Sequence, residues 1–218
     1  MRIRRKKWAA PELNAADYFI QNPYEQRGKW SEVFARQNPL HLEIGCGRGG
    51  FISQMAIENP DINYLAVDIK LDMLGTARRN IEKIFTENQR DIDNIKLTVY
   101  NMESLKIMLT EQDKVERMYI NFCNPWYKSG DKKHRLTHTR QLMRYKEFLT
   151  PQAEIWFKTD DAPLFEESLE YFDECGFKIT YITRDLHNSD FVGSIPTEHE
   201  KMFTEQGIPT KFLIAVNQ

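Results

Sequence analysis

The chain has 218 residues, of which 41% are apolar and 28% charged, and its formal net charge is −2. These proportions suit one α/β domain with a sizeable core, no apolar run approaches the ~18 residues that a membrane span needs, and a charge so near zero excludes whole-molecule attraction to nucleic acid, so that any basic surface must be local. The three cysteines, Cys46, Cys123 and Cys175, are too few and scattered for a disulfide framework or a zinc site, and read as small buried hydrophobes.

The amino end carries Arg2, Arg4, Arg5, Lys6 and Lys7 with no acid, which reads as a solvated terminus or as a basic arm for phosphate. No apolar segment follows it, so no signal peptide is expected and the cytoplasm is the expected compartment. Residues 9–39 hold the turn signals Asn22-Pro23, Arg27-Gly28 and Asn38-Pro39 around a short helical candidate at Trp30–Arg36. Residues 1–38 therefore read as an arm and lead-in, and 39–218 as the domain.

The domain opens with an apolar strand, Leu40-His41-Leu42-Glu43-Ile44, that runs into Gly45-Cys46-Gly47-Arg48-Gly49-Gly50 and then a helix. Glycines let the backbone take φ > 0 and let a ligand lie on bare N–H groups, while the helix start presents its positive end. The spacing also fits the dinucleotide fingerprint, and it fits a mere tight βα turn. Glu43 favours a different ligand: a carboxylate at the ligand end of the strand repels a pyrophosphate and attracts a cation such as S-adenosylmethionine, which bears a sulfonium and an ammonium group. Gly45, Gly47 and Glu43 are thus the first cofactor candidates.

Further along, Phe51, Ile52, Met55 and Ala56 share one helical face, and Tyr64–Val67 is a second buried strand closed by Asp68. An acid there, about twenty residues past the glycines, accepts from ribose hydroxyls in either cofactor reading. A helix over Leu71–Asn88 precedes strand Ile95–Tyr100, and Asn101 at its end is placed to accept from an adenine amino group, with Met102 covering the ring; the alternative is a turn asparagine. Strand Val115–Asn121 leads into Phe122-Cys123-Asn124-Pro125-Trp126-Tyr127-Lys128, poor core material and good material for a slot that holds a flat ring. From Lys128 to Lys146 there are seven basic residues, among them Lys132, Lys133 and Arg135, and the single acid Asp131. Interleaved with His134, His138 and Tyr145, they suit a phosphate backbone, or else a solvated face. Glu154–Lys158 is a strand ending in Thr159-Asp160-Asp161, where either acid also suits a helix cap. Two final strands, Phe177–Thr183 and Thr210–Val216, are joined by a long loop of the kind that is usually functional or mobile.

Together, Leu-Glu-Ile-Gly-Cys-Gly-x-Gly at 42–49, Asn-Phe-x-x-Pro-Trp-x-Lys at 121–128, Arg135-Leu136-Thr137, Phe157-Lys158-Thr159-Asp160, Asp185-Leu186-His187 and Thr197-Glu198-x-Glu200 resemble the bacterial tRNA (guanine-N7-)-methyltransferases over nearly the whole chain. The resemblance implies a Rossmann-like, doubly wound α/β fold with a seven-stranded, mostly parallel sheet and an antiparallel last strand. It implies methyl transfer from S-adenosyl-L-methionine to guanine 46 in the tRNA variable loop, by a monomer or homodimer that needs neither metal nor membrane. Carried over by position, Glu43, Asp68, Asn101 and Asn124 would contact the donor or line the reaction centre. Lys128, Asp160, Thr197, Glu198, His199 and Glu200 would hold the substrate, beside Lys132, Lys133 and Arg135 of the basic run. The chain departs from the family pattern at Asn124 and Asn101, where aspartate is usual, at Tyr127, where proline is usual, and at His199, where tyrosine is usual. Asn-Pro-Trp-Tyr also approaches the motif of enzymes that methylate exocyclic amino groups of bases. That reaction, or tRNA binding with impaired transfer, is the alternative.

Overall fold

The structure, a computed structural model, describes residues 6–101 and 105–218. Its strands are β1 (Phe19–Ile20), β2 (Leu40–Ile44), β3 (Asn63–Asp68), β4 (Ile95–Val99), β5 (Val115–Asn121), β6 (Leu149–Thr159), β7 (Phe177–Thr183) and β8 (Lys211–Asn217), hydrogen-bonded in the order β1-β4-β3-β2-β5-β6-β8-β7. All pairs from β1 to β6 are parallel, and β8 runs against both of its neighbours. The mostly parallel sheet with an antiparallel last strand is therefore present, but with eight strands instead of seven. The extra one, β1, has two residues, too few to show an alternating pattern in the sequence. It is held at the edge by Leu97 N–H on the Tyr18 carbonyl (2.8 Å) and Thr98 Oγ1 on the Ile20 carbonyl (2.8 Å).

The helices are α1 (Ala9–Asn14), α2 (Gly50–Glu58), α3 (Leu71–Glu87), α4 (Leu105–Met108), α5 (Thr139–Tyr145), α6 (Ala162–Glu174) and α7 (Glu198–Glu205). Every residue of β2 and β3 is buried, as parallel strands covered on both faces must be. Leu42, Ile44, Leu65, Val67, Met118 and Ile120 meet Leu142 of α5 and Leu164 and Phe165 of α6 in one core. Tyr64, Ala66 and Tyr119 meet Ile52 and Met55 of α2 and Leu74, Ile81 and Phe85 of α3 in the other. Strand β2 has β3 on one side and β5 on the other, so the strand order reverses at its carboxyl end. In open α/β sheets that crevice is where ligands sit.

Two expectations change. The helical candidate at 30–36 is a 3-10 turn, Trp30–Val33, whose buried indole donates to the Met108 carbonyl (2.9 Å). The connection between β7 and β8 contains α7, because Thr197 and Glu200 form a capping box: Thr197 Oγ1 accepts from Glu200 N–H (3.0 Å) and Glu200 Oε2 from Thr197 N–H (3.4 Å). Its preceding stretch is anchored by Phe191, which packs on Trp156, Tyr181 and Phe212.

At the amino end, Lys6 N–H donates to Asp72 Oδ1 (2.7 Å), the Arg79 guanidinium lies 3.5 Å from the Trp8 ring, and Ala9 packs on Gly75 of α3. Arg2, Arg4, Arg5 and Met102 lie outside the described residues.

Gly49 closes the turn into α2 at φ +72°, and a Cβ there would stand 2.9 Å from Ala77 Cβ in α3. The left-handed backbone costs a non-glycine residue about 1–2 kcal/mol and overpacking adds about 1–3 kcal/mol. Gly49→Ala is accordingly expected to lower stability by roughly 2–4 kcal/mol, read as a shift of the urea unfolding midpoint.

Candidate active site

Alternation along parallel strands creates the floor of the site. Glu43 is in register with Ala66 of β3 and Tyr119 of β5, and Asn121 is in register with Lys158 of β6. Asp68, Glu43, Asn121 and Lys158 therefore form a polar row across four neighbouring strands, on the face covered by α2 and α3 and at the carboxyl ends. Asp68, Glu43 and Lys158 are all buried. Glu43 Oε1 accepts from Asn121 Nδ2 (3.0 Å), while Glu43 Oε2 is buried without a hydrogen-bond partner. Burial pushes the Glu43 carboxyl up to about 7, against the opposing hydrogen bond from Asn121. Burial likewise raises Asp68 and lowers Lys158.

The glycine turn follows directly from β2. Gly45 and Gly47 take φ +76° and +55°, conformations that favour glycine. Gly45 and Cys46 N–H donate to the Val67 carbonyl (2.8 and 3.1 Å), and Gly47 N–H donates to Asp68 Oδ2 (3.0 Å). The other Asp68 oxygen accepts from Lys70 N–H (2.7 Å). Helix α2 starts at Gly50 with no side-chain cap, so its first turn presents backbone N–H groups and positive potential to the crevice.

One wall is the segment after β5. Asn124 Oδ1 accepts from Trp126 N–H (3.1 Å), closing an asparagine turn at the surface. Phe122 (φ +50°) and Trp126 (φ +45°) both take the left-handed backbone, which costs each about 1–2 kcal/mol and marks a segment held by its surroundings. What holds it is Arg135, whose buried guanidinium donates from Nε to the Pro125 carbonyl (2.6 Å) and from Nη1 to Glu167 Oε2 (2.8 Å). Trp126 lies 5.4 Å from His134, and the well-exposed Tyr127 donates its hydroxyl to Asp161 Oδ2 (2.7 Å), which raises the phenol above its ordinary value.

A second wall, in contact with the first through Phe122, is the start of α7. Glu200 is buried and its Oε2 accepts from Lys158 Nζ (2.8 Å), which also donates to the Ile195 carbonyl (3.0 Å). His199 stacks on Phe122 (5.7 Å between centroids, 25° between planes), and Glu198 pairs with Arg48 (3.8 Å) beside Gly50.

The candidates named from sequence lie at the carboxyl ends of the strands or in the connections that follow them, with different degrees of exposure. Glu43, Gly45, Gly47 and Asp68 form the floor of the crevice; Asn101 is exposed at the end of β4; Asn124 and Lys128 are exposed after β5. Asp160 is half-buried at the end of β6, and its neighbour Asp161 caps α6 by accepting from Leu164 N–H (2.7 Å). Lys133 is exposed, whereas Lys132 donates to Glu167 (2.7 Å) and Arg135 is buried. Thr197 and Glu200 are buried; Glu198 and His199 are exposed. Sequence reasoning quoted Asn121, Phe122 and Lys158 within motifs without giving them a role of their own, and did not single out Glu167. The signal for Lys158 is a lysine in the otherwise apolar run Ile155-Trp156-Phe157, which a buried strand tolerates only with a buried partner.

Comparison with known proteins identifies the family and the fold. A family model described as "Putative methyltransferase" matches residues 37–213. A tRNA (guanine-N(7)-)-methyltransferase of Clostridium beijerinckii is 58% identical over 216 residues, covering 99% of each chain. One of Clostridium botulinum (strain Eklund 17B / Type B) is 56% identical over 218 residues, the whole of both chains. Among solved structures, an antibiotic-related methyltransferase superimposes with a TM-score of 0.58 at 15% identity, covering 100% of this chain and 96% of that one, a likeness of fold alone.

A carboxyl raised from 4.5 to about 7 binds its proton more tightly in the folded protein than in the unfolded one. Its favourable contribution is complete below pH ~4.5 and is lost as pH rises through ~7. Glu43→Gln, which keeps an acceptor for Asn121, is therefore expected to be more stable than the parent at pH 8 by roughly 2–4 kcal/mol, the gap closing towards pH 5. Urea titrations of both proteins at the two pH values measure it.

Proposed function

The chain belongs to the tRNA (guanine-N(7)-)-methyltransferase family, and from that premise we propose that it methylates N7 of guanine 46 in the tRNA variable loop, using S-adenosyl-L-methionine, in the cytoplasm. The observation that carries the reading is the buried, half-satisfied Glu43 on the strand that runs into the glycine turn. A carboxylate with an unpartnered oxygen fits a donor that carries two cationic centres and disfavours a pyrophosphate. The donor is held by Glu43, Asp68, the glycine-turn backbone at Gly45 and Gly47, and Asn101.

When bound, the donor supplies a methyl group on a sulfonium: the in-plane lone pair of guanine N7 forms the new N–C bond, the C–S bond breaks with its electron pair going to sulfur, and the positive charge passes to the base. N7 has no proton to remove, so neither a general base nor a metal is needed. The protein contributes alignment and field. Asn124 orients groups at the transfer site, and Asp160 accepts from the N1–H and N2–H₂ edge of guanine, which adenine lacks. Trp126 and Tyr127 cover the ring. Thr197, Glu198, His199 and Glu200 form the second wall of the acceptor slot, Thr197 and Glu200 from within the fold. The phosphate grip falls to the exposed cations Lys128, Lys133 and Arg140, since Lys132 and Arg135 are engaged with Glu167.

Labelled methyl transfer to bulk tRNA followed by nucleoside analysis tests the reading: 7-methylguanosine is expected, and label on an exocyclic amino group, or no transfer, overturns it. Binding to tRNA should weaken steeply with salt. Lys133→Ala and Arg140→Ala should each flatten the slope by about 0.7–0.9, while Arg135→Lys leaves it unchanged. Asn124→Asp preserves the acceptor for Trp126 N–H and adds a negative charge near a base that becomes cationic. Turnover should be equal or higher in the same transfer assay, and a tenfold loss would remove Asn124 from the reaction centre.

A further inference from the structure

Lys158 is buried at the β6 end of the polar row, its ammonium 5.7 Å from the Phe51 ring of α2, and its hydrogen bonds reach both the segment after β5 and the start of α7. Its main-chain carbonyl accepts from Phe122 N–H (2.9 Å), at the strained residue where the chain leaves β5. Its ammonium donates to the Ile195 carbonyl (3.0 Å) and to Glu200 Oε2 (2.8 Å), and Glu200 adjoins His199 on the first turn of α7. Phe122 and His199 are stacked on each other. One residue thus fixes both halves of an aromatic pair contributed by segments more than seventy residues apart, one half through its backbone and the other through its side chain.

A buried lysine–glutamate pair is a weak source of stability, because taking two charges from water offsets most of their attraction, and apolar side chains of the same size would hold α7 at least as firmly. What the pair supplies is direction: a charged hydrogen bond fixes distance and orientation where an apolar contact would slide. We propose that Lys158 is a positioning residue for methyl transfer, whose buried pair with Glu200 sets His199 against Phe122 and so shapes the wall of the slot that receives the acceptor base. The proposal rests on the methyl-transfer reading above.

The test uses the full-length protein with Lys158→Met and Glu200→Gln combined. Both charges are then removed together, and glutamine still serves the capping box with Thr197. The variant should fold and should bind S-adenosyl-L-methionine within about threefold of the parent, while kcat for tRNA falls about tenfold or more, as expected for a misplaced acceptor. His199→Ala, at an exposed position, should cause a comparable loss, and the triple variant should be little worse than either, since both changes remove the same stack. Amide exchange over residues 197–203 should accelerate in the double variant while β2, β3 and β5 keep their protection. Parental turnover in the double variant, full additivity with His199→Ala, or unchanged exchange at 197–203 would each overturn the proposal. A parent that methylates no tRNA would instead count against the methyl-transfer reading, and the exchange measurement would still report on the Lys158–Glu200 pair.

Discussion

The constraint on which the molecule depends is a set of polar side chains buried across the carboxyl ends of four parallel strands. The buried Asp68, Glu43 and Lys158, with the half-buried Asn121, lie in a layer where hydrocarbon would be more stable. Only part of their hydrogen-bonding capacity is met within the row. Asp68 receives two backbone N–H groups, Glu43 receives one amide and leaves an oxygen bare, and Lys158 turns outward to Glu200. Within the row the shortfall falls on Glu43, the strand residue two positions before the glycine turn, and it is this shortfall that the proposed cationic donor would meet.

The two walls above this floor are held by different means. The segment after β5 carries two non-glycine residues with a left-handed backbone, and it is clamped from behind by Arg135, itself held by Glu167 on α6. The first turn of α7 is fixed by a capping box and a buried ion pair. In both cases a charge that a sequence count assigns to the surface is spent inside the fold. The basic run after Lys128 therefore offers fewer cations to a polyanion than its composition suggests, and its interior members act by holding the walls in place.

The sheet itself says little about chemistry. Its likeness to an antibiotic-related methyltransferase at 15% identity is one of fold, and a fold alone does not specify a site. What distinguishes this chain lies at the ends of the strands and in the connections: the Asn124–Lys128 segment, Asp160, and the Thr197–Glu200 turn. The match to the clostridial relatives runs through all of them.

The strands and long helices of the α/β framework were legible because burial on both faces writes a continuous apolar run into β3 (Tyr64–Val67) and leaves β2 and β5 mostly apolar, and because glycines and an acid at fixed spacing mark the switch point. The candidate floor was legible for a related reason: Glu43, Gly45, Gly47 and Asp68 are local features of two βα turns. Strand β1 and helix α7 were not, since two residues show no period and a short helix anchored by tertiary contacts needs little pattern of its own. Nor could the sequence by itself decide which of its charges face water. Lys158 and Glu200 stand 42 residues apart, and Arg135 and Glu167 stand 32 apart. They meet only in the folded chain, where α6 packs back beside the segment after β5 and the antiparallel β7–β8 connection carries α7 to the end of β6. Residue type and local spacing determined what chemistry the chain can hold, and packing across the sheet decided which side chains are free to perform it, because burial and pairing of a charge are properties of neighbours that the chain order does not specify.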